Sequence, residues 1–395
     1  MKVLVLQSEL GVLRGGGETF TRNLFTAFVK RGHHVAAAFV ADRRSRYPIP
    51  LPSCMVAIPI PGLWSRKLGQ AALSSVGRYL SYGTRFRSEW DRVQEAICWR
   101  TIRWHNGRFQ GRIEQRFANH WSEYDAVYVN GNVELGGKAA VHRPTVLMLP
   151  GPVSADRVPT LRAVHAVCSH DDGFARLRDH LGNEALEIPL GINSQLFNCE
   201  GGSMRAALDW TPGNLVLGYV GRLTHLKGVD ILAEAFRDLS RTTNDFRLLI
   251  VGEGEFESKI RFILADQIAR RIVHIEPGVS QEQLPGWYRA MDLLVMPSRY
   301  ETLSNAVLEA LACRVPFLAS DVGGNRKLAK TGYGWLFESE SVSSLTDFVR
   351  RIITNRAEIR ARGVAGSRYI RENYSWDRSA ERLESILISR LGVQP

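Results

Sequence analysis

Short apolar runs alternate with helical patterns along most of this 395-residue chain. An apolar run of about four to eight residues followed by a helix is typical of a βαβ unit, and successive units build a parallel sheet with helices on both faces. The alternation breaks over 62–121 and starts again cleanly at Leu215. The sequence therefore predicts an α/β protein with two Rossmann-like, doubly wound domains.

The predicted strands of the first half are Val3–Gln7, His34–Val40, Ala126–Asn130, Thr145–Leu149, Ala163–Cys168 and Leu186–Pro189. Those of the second half are Leu215–Val220, Arg247–Val251, Ile272–Ile275, Leu293–Pro297 and Pro316–Ser320. Predicted helices cover Glu18–Arg31, 228–241, 255–269, 281–291, 304–313, 356–373 and 376–391.

The join between the two domains is best placed at Ile188–Phe197, where Pro and Gly interrupt the pattern. The chain is long enough for two domains that each bury a core. We expect a first domain over 1–190 with a helical insertion at about 62–121, a second domain over 191–372, and a C-terminal helix over 373–395.

Composition excludes several classes of protein. The chain is 45% apolar and 23% charged, as soluble globular proteins are. No apolar run approaches the roughly 18 residues that span a bilayer. The five cysteines show no C-x-x-C spacing, so neither a disulfide framework nor a zinc site is indicated. Because the chain leads straight into an apolar strand, we expect no secretory signal and a cytoplasmic location.

Residues 62–121 carry eleven Lys/Arg against four Asp/Glu, and five of the nine tryptophans. Basic residues interleaved with aromatics suit an anionic membrane surface. They equally suit a helical insertion with a solvated basic face over a Trp-rich core, and both interpretations stay open. Nucleic acid is disfavoured because no nucleic-acid-binding module is visible.

The segment Pro297–Gly324 contains two glutamates with seven residues between them. Glu301 falls in a loop after a predicted strand, and Glu309 falls in the helix that follows. The free N–H groups and the dipole of a helix N-terminus attract anions. Carboxylates at such a terminus can accept hydrogen bonds from sugar hydroxyls that flank a bound phosphate.

A second candidate site follows the first strand of the second domain, in the sequence GYVGRLTHLKG. Gly218 and Gly221 allow the backbone to approach a ligand closely. Arg222 offers a planar fork of donors and Lys227 a point charge, and both suit the oxygens of a diphosphate.

A third candidate is the glycine run from Gly15 to Gly17, followed by Glu18 at a helix start. A dinucleotide-binding fingerprint places its first glycine directly after the strand. Here Gly15 lies eight residues beyond the strand end, so an NAD-dependent dehydrogenase is disfavoured. Glu18 either faces a ligand or simply complements the helix dipole.

With these motifs the chain resembles the retaining glycosyltransferases of family 4, most specifically over 215–330. The resemblance implies the GT-B fold, with two Rossmann-like domains facing a cleft and a C-terminal helix crossing back to the first domain. It assigns catalytic roles to Glu301, Arg222 and Lys227, which would contact the donor sugar and its diphosphate. It also implies donor contacts from Gly17, Glu18, Gly221, Glu253, Val279, Leu303, Ser304, Asn305 and Glu309.

The chain departs from the family where a histidine near the anomeric carbon is common. That place reads Leu149-Pro150-Gly151-Pro152. The backbone of Pro150 and Gly151, or the side chains of Asn130 and Asn132, are the candidates on the acceptor side. The Glu-Gly-Phe-Gly that is usual after the second-domain strand is Glu-Thr-Leu-Ser here, from Glu301 to Ser304.

The resemblance implies a retaining transfer from a nucleoside-diphosphate sugar, with a UDP-sugar favoured over a GDP-sugar. The acceptor would be a hydroxyl of a glycan or lipid-linked glycan, in surface polysaccharide synthesis and at the inner membrane face through 62–121. No Asp-x-Asp is present, so metal independence and no cofactor are expected. Two alternatives stay open: a nucleotide-sugar-binding GT-B protein without transferase activity, and a GT-B nucleotide-sugar epimerase.

Overall fold

The computed structural model describes residues 1–8, 10, 16–41, 51–61, 106–149, 155–169, 171–242, 245–301 and 303–394, and only the backbone at 41, 61, 171–173 and 176. The described residues form two compact units. The first comprises 1–191, without its masked parts, together with 374–394, and the second comprises 192–373. The described strands of the chain form two separate sheets.

The first unit is built on a sheet of seven described strands, all parallel, in the order β3-β2-β1-β4-β5-β6-β7. Their bounds are β1 Lys2–Leu6, β2 His34–Ala41, β3 Val56–Pro61, β4 Ala126–Asn130, β5 Thr145–Met148, β6 Ala166–Ser169 and β7 Ala185–Glu187. The strand order reverses between β1 and β4.

The helices of the first unit are α1 Gly16–Lys30, α2 at 106–117, α3 Val133–Ala140, α4 Val158–Arg162, α5 Asp171–Leu181 and α14 Trp376–Leu391. Helix α2 shows how the sequence fixes packing here. Phe109, Ile113 and Phe117 recur every four residues, so they share one face of the helix and are buried in the core. Arg108 and Arg116 lie off that face and are exposed.

The second unit is built on six described parallel strands in the order β10-β9-β8-β11-β12-β13. Their bounds are β8 Leu215–Val220, β9 Phe246–Val251, β10 Val273–Glu276, β11 Leu293–Met296, β12 Phe317–Ser320 and β13 Gly334–Phe337. The order reverses between β8 and β11, and ligands of doubly wound sheets bind outside the carboxyl ends of strands at such a switch point.

The helices of the second unit are α6 Val229–Leu239, α7 Glu257–Ile263, α8 Ala265–Ala269, α9 Leu284–Tyr288, α10 Asn305–Ala312, α11 Asn325–Ala329, α12 Val342–Ile352 and α13 Arg356–Asn373. The prediction of one helix over 255–269 was wrong, because the backbone leaves the α region at Leu264 and two shorter helices result. The helix predicted at 281–291 is confined to Leu284–Tyr288.

The C-terminal helix α14 belongs to the first unit, as the predicted fold class required. Its N-cap is Ser375, whose hydroxyl accepts a hydrogen bond from the Arg378 N–H at 3.2 Å. Trp376 packs edge-on against Phe20 of α1, with ring centroids 5.5 Å apart. The Ser379 hydroxyl donates to the Pro189 carbonyl at 2.8 Å. The helix is therefore held by both an aromatic contact and hydrogen bonds within its unit.

Among the described residues, no helix combines the length and the hydropathy needed to cross a bilayer.

Candidate active site

An ion pair joins the two principal motifs of the second unit. Lys227 ends a single 3₁₀ turn, His225–Lys227, that follows β8. Glu301 lies in the loop after β11. The Lys227 Nζ is 2.6 Å from Glu301 Oε2, and the side chains are only 20% and 9% exposed. Because β8 and β11 are neighbours at the switch point, their loops emerge side by side and bring together charges that are 74 residues apart.

Gly228 makes the close approach of these loops possible. Its φ of +63° lies in the left-handed region, which glycine adopts without steric cost. A Cβ at this position would lie 1.9 Å from the carbonyl oxygen of Pro297. Any other residue would push the Lys227 turn away from the loop that carries Glu301.

The N-terminus of α10 lies just beyond Glu301. Ser304 is the N-cap, and its side chain makes no capping hydrogen bond. Within the described part of the chain, the backbone N–H groups of Leu303, Ser304 and Asn305 donate to no other group. Unpaired N–H groups at a helix start carry partial positive charge. This end of the helix is therefore suited to binding an anion.

Glu309 lies one helical turn further along α10 and is half-buried. Its Oε2 accepts a hydrogen bond from the Tyr288 hydroxyl at 2.7 Å. Burial raises the pKa of Glu309 to about 7, and the hydrogen bond from Tyr288 only partly opposes that shift. The carboxyl therefore has an unusual need for further hydrogen-bond donors in its charged form.

Arg222 differs from Lys227 in being exposed, and its guanidinium makes no ion pair or hydrogen bond with the described residues. Only its backbone carbonyl is engaged, by the Tyr219 hydroxyl at 2.7 Å. The fork of donors is therefore open to a ligand. Gly221, which precedes it, packs tightly against the next loop, because a Cβ on Gly252 would lie 1.9 Å from the Gly221 carbonyl oxygen.

The weaker donor-site predictions fall on the two loops beyond β9 and β10. Glu253 is exposed, and its side chain lies beside Gly278, since a Cβ on that glycine would be 3.4 Å from the Glu253 carboxyl carbon. Val279 is half-buried in the same loop. These residues lie together at one end of the sheet.

The first unit places its predicted site residues differently. Helix α1 begins at Gly16, so Gly17 lies in its first turn and not in the loop that was predicted; that part of the prediction was wrong. A Cβ on Gly17 would lie 3.8 Å from Gln7 Nε2 and 3.9 Å from Asn130 Oδ1. Glu18 is half-buried in the same turn. Gly15, Pro150 and Gly151 lie outside the described residues.

Both asparagines on the acceptor side already make internal hydrogen bonds. The Asn130 Nδ2 donates to the Thr21 hydroxyl at 2.9 Å. Asn132 is the N-cap of α3, and its Oδ1 accepts from the Leu135 N–H at 3.0 Å. Each is 8% exposed. Their amides hold the ends of β4 and α3 in place.

Sequence reasoning missed two residues of this neighbourhood. Tyr288, the hydrogen-bond partner of Glu309, is fully buried. Arg299, two residues before Glu301, pairs with Asp230 beside the Lys227 turn. Neither residue belongs to a recognisable motif, and each is paired with a residue distant in the sequence. Within the described ranges, no three His, Cys, Asp or Glu side chains are grouped closely enough to hold a metal ion.

Comparison with known proteins bears on the second unit most directly. Residues 203–368, which carry the Lys227–Glu301 pair and helix α10, match the family model of the glycosyl transferases group 1. This region of the chain is therefore similar in sequence to that family. The matched region contains every second-unit residue to which the resemblance to family 4 assigns a role.

Two curated relatives and one solved structure illustrate the similarity of this chain to known proteins. The D-inositol 3-phosphate glycosyltransferase of Rhodococcus erythropolis is 30% identical over 189 residues, 46% of this chain and 42% of that protein. The GDP-mannose-dependent monoacylated alpha-(1-6)-phosphatidylinositol monomannoside mannosyltransferase of Corynebacterium glutamicum is 28% identical over 213 residues, 51% of this chain and 55% of that protein. The chain thus spans about half the length of the curated relatives it matches.

The solved structure of HepE from Anabaena in complex with UDP-glucose superposes with a TM-score of 0.69, covering 98% of this chain and 100% of that one at 17% identity. A likeness at this identity concerns the fold, and it extends across both units. The predicted GT-B fold is confirmed.

Proposed function

We propose that this protein is a retaining glycosyltransferase that moves a sugar from a nucleoside-diphosphate sugar to a hydroxyl of a glycan or lipid-linked glycan. The observation that carries the proposal is the joint placement of a buried Lys227–Glu301 pair and the open N-terminus of α10. A cation and free N–H groups bind a diphosphate, and a carboxylate beside them binds the hydroxyls of the sugar attached to it.

Each group has a part in this chemistry. Lys227, the exposed Arg222 and the N–H groups of Leu303–Asn305 stabilise the negative charge that grows on the departing diphosphate, which is electrostatic preorganisation. Glu301 accepts hydrogen bonds from the donor sugar, and Glu309 accepts them from the ribose. The bond from the anomeric carbon to the phosphate oxygen breaks, the acceptor oxygen bonds to the same face, and its proton passes to the leaving diphosphate.

The proposed donor is a UDP-sugar, with a GDP-sugar as the alternative. The similarity to HepE, whose structure contains UDP-glucose, supports the first. The similarity to a GDP-mannose-dependent enzyme supports the second. The proposed donor contacts are completed by Glu253, Val279, Gly221, Gly17 and Glu18.

Because cationic side chains and a helix terminus neutralise the diphosphate here, we propose that transfer needs neither a metal ion nor a cofactor.

The proposed acceptor is a glycan or lipid-linked glycan, in keeping with a relative named for phosphatidylinositol monomannoside. Synthesis of a surface polysaccharide at the cytoplasmic face of a membrane would use such an acceptor.

We propose peripheral contact with anionic lipid through 62–121, of which the structure describes 106–121. There the exposed Arg108 and Arg116 suit lipid phosphates, whereas Trp121 is buried and stacks on His142, with ring centroids 5.0 Å apart. Sedimentation with vesicles containing phosphatidylglycerol, compared with vesicles of phosphatidylcholine alone, tests this contact.

The test of the function is a donor turnover assay in EDTA with UDP-glucose, UDP-galactose, UDP-N-acetylglucosamine and GDP-mannose. Each is offered with and without a pool of lipid-linked glycans, and the anomeric configuration of the product is read by proton NMR. We expect one donor to turn over only with acceptor and with its configuration kept. Tight donor binding without any product would instead identify a non-catalytic binding protein, and epimerised nucleotide-sugar without acceptor would identify an epimerase.

A further inference from the structure

A second ion pair lies directly behind the Lys227–Glu301 pair. The Arg299 guanidinium contacts the Asp230 carboxylate with both of its terminal nitrogens, at 2.9 and 3.2 Å. Both side chains are only 10% exposed. Arg299 lies two residues before Glu301, and Asp230 lies three residues after Lys227. The pair therefore connects the two loops whose charges form the candidate site.

Arg299 also holds the backbone of the Lys227 turn. The Arg299 Nη1, which contacts Asp230 Oδ1, also donates to the carbonyl of His225 at 2.7 Å. The backbone N–H of Arg299 donates to the carbonyl of Leu226 at 2.9 Å. Arg299 thus hydrogen-bonds to the backbone carbonyls of the two residues that precede Lys227. Through Asp230 it also contacts the first turn of the helix that follows Lys227.

Asp230 remains charged in this arrangement. Burial alone would raise its pKa, but the hydrogen bonds and the charge of Arg299 outweigh that effect and hold the pKa below its usual value. Lys259 adds a weaker contact, with its Nζ 3.5 Å from the Asp230 carboxylate. The exposed Glu340 lies 3.6 Å from the Arg299 Nε on the outer side. Both terminal nitrogens of Arg299 are engaged with protein groups, and its Nε is buried without a hydrogen-bond partner among the described residues, so Arg299 acts on the site through the turn it holds.

We propose that Arg299 is a positioning residue: with Asp230 it fixes the 3₁₀ turn so that the Lys227 ammonium points at the diphosphate of the donor. This inference rests on the proposed function. A buried bidentate Arg–carboxylate pair fixes two loops in both distance and orientation, whereas a lysine would make a point contact. The planar fork is needed because three acceptors in different directions share one side chain.

The substitution Arg299→Lys tests this geometry without changing the net charge. A lysine can reach Asp230 but lacks the planar fork that pairs with both carboxylate oxygens while bonding the carbonyl of His225, so the turn gains freedom while the electrostatic attraction of the site for an anion is kept. We expect the dissociation constants of UDP and GDP, measured by calorimetry, to rise about tenfold for whichever of them wild type binds, equivalent to one charge-assisted hydrogen bond.

The matched control is Arg205→Lys. Arg205 also pairs with a carboxylate of the second unit, Asp292, at 2.7 Å, and donates to the carbonyl of Ala290. It makes no contact with the Lys227 turn. A comparable fall in melting temperature with unchanged UDP and GDP affinity is expected there, so a general loss of stability is separated from loss of positioning.

A double-mutant cycle separates positioning from direct contact. If Arg299 acts through the Lys227 turn, Lys227→Met should cost less affinity in the Arg299→Lys background than in wild type, because part of the Lys227 contribution is already lost. Additive losses would overturn the positioning role, as would an Arg299→Lys protein that binds UDP or GDP like wild type, and both leave the proposed function intact. A wild type that binds neither nucleotide removes the proposed function and this inference together.

Discussion

The carboxyl ends of the two sheets differ in the kind of side chain they present. In the second unit they carry charges held in pairs, Lys227 with Glu301 and Arg299 with Asp230. In the first unit the described counterparts are the neutral amides of Asn130 and Asn132, which already hydrogen-bond within the unit. Similar strand topology thus carries paired charges in one unit and a neutral polar edge in the other, where the buried Asn132 Nδ2 has no hydrogen-bond partner among the described residues.

This difference fits the proposed function, in which the second unit binds the donor and the first unit binds the acceptor. Charges that pair with one another in the absence of a ligand can exchange that partner for an anion, as the proposed binding of a diphosphate to the second unit requires. Amides bind hydroxyls without favouring a charge, which suits an acceptor sugar. The substitutions below test this difference between the two units.

The largest effect is expected for Lys227→Met. This change removes a buried cation from the group that would stabilise the leaving diphosphate, so kcat/KM for sugar transfer should fall roughly a hundredfold or more. Steady-state assays with the preferred donor measure it. Lys330→Met, which removes an exposed cation from the same unit and leaves both buried ion pairs intact, serves as the control. Near-wild-type activity of the Lys227 variant would contradict an electrostatic role of the second unit.

Next in size is the pH dependence of stability caused by Glu309. Its pKa is about 7 in the folded state and near 4.5 in the unfolded state. Because the folded state holds the proton more tightly, this group's contribution to the free energy of unfolding is fully present below the lower value and is lost as pH rises through 7. Glu309→Gln should abolish this loss, which amounts to at most about 3 kcal/mol for such a shift. Urea unfolding of both proteins at pH 5 and pH 8 measures it; parallel pH profiles would rule out the shifted pKa.

A smaller effect of opposite sign is expected for Glu301→Gln. Without the Glu301 carboxylate, Lys227 has no competing partner and one negative charge fewer lies near the phosphates. The dissociation constant of UDP or GDP should therefore fall, by up to about tenfold, while sugar transfer declines. Glu257→Gln, which breaks the exposed pair with Arg261, is the control. Weaker nucleotide binding by Glu301→Gln would show that the pair does not compete with the ligand.

The smallest effect is expected in the first unit. Asn132→Ala removes the N-cap of α3 and should lower the free energy of unfolding by about 1 kcal/mol. Asn132→Asp keeps a capping oxygen and should restore most of that loss. Calorimetric UDP and GDP affinities should not change in either variant. A loss of nucleotide affinity in Asn132→Ala would contradict this account, because it would show that the neutral polar edge also contributes to donor binding.

The alternation of apolar runs and helices predicted most strands to within two residues, because buried parallel strands are continuous apolar segments. It missed β3 and β13 for identifiable reasons. Strand β3, VAIPIP, contains two prolines, which are typical of an edge strand and not of the usual pattern. Strand β13, GWLF, has only four residues and begins with glycine. Edge and short strands depend on their neighbours more than on their own sequence.

The candidate site was predictable where a motif places a charge after a strand, as with Arg222, Lys227, Glu301 and Glu309. The partners of those charges were not. Arg299 and Asp230 are 69 residues apart, and Tyr288 and Glu309 are 21 apart. Such pairs form because the order of strands in the sheet places two loops side by side. The local sequence pattern does not indicate which loops will become neighbours.

The central claim, that the second unit binds a nucleoside diphosphate through Lys227, is tested most directly by calorimetric titration of the full chain with UDP and GDP in EDTA. The account predicts that one of the two binds with a dissociation constant that rises at least about tenfold in Lys227→Met. Absence of binding by both nucleotides, or equal binding by wild type and the variant, would contradict it.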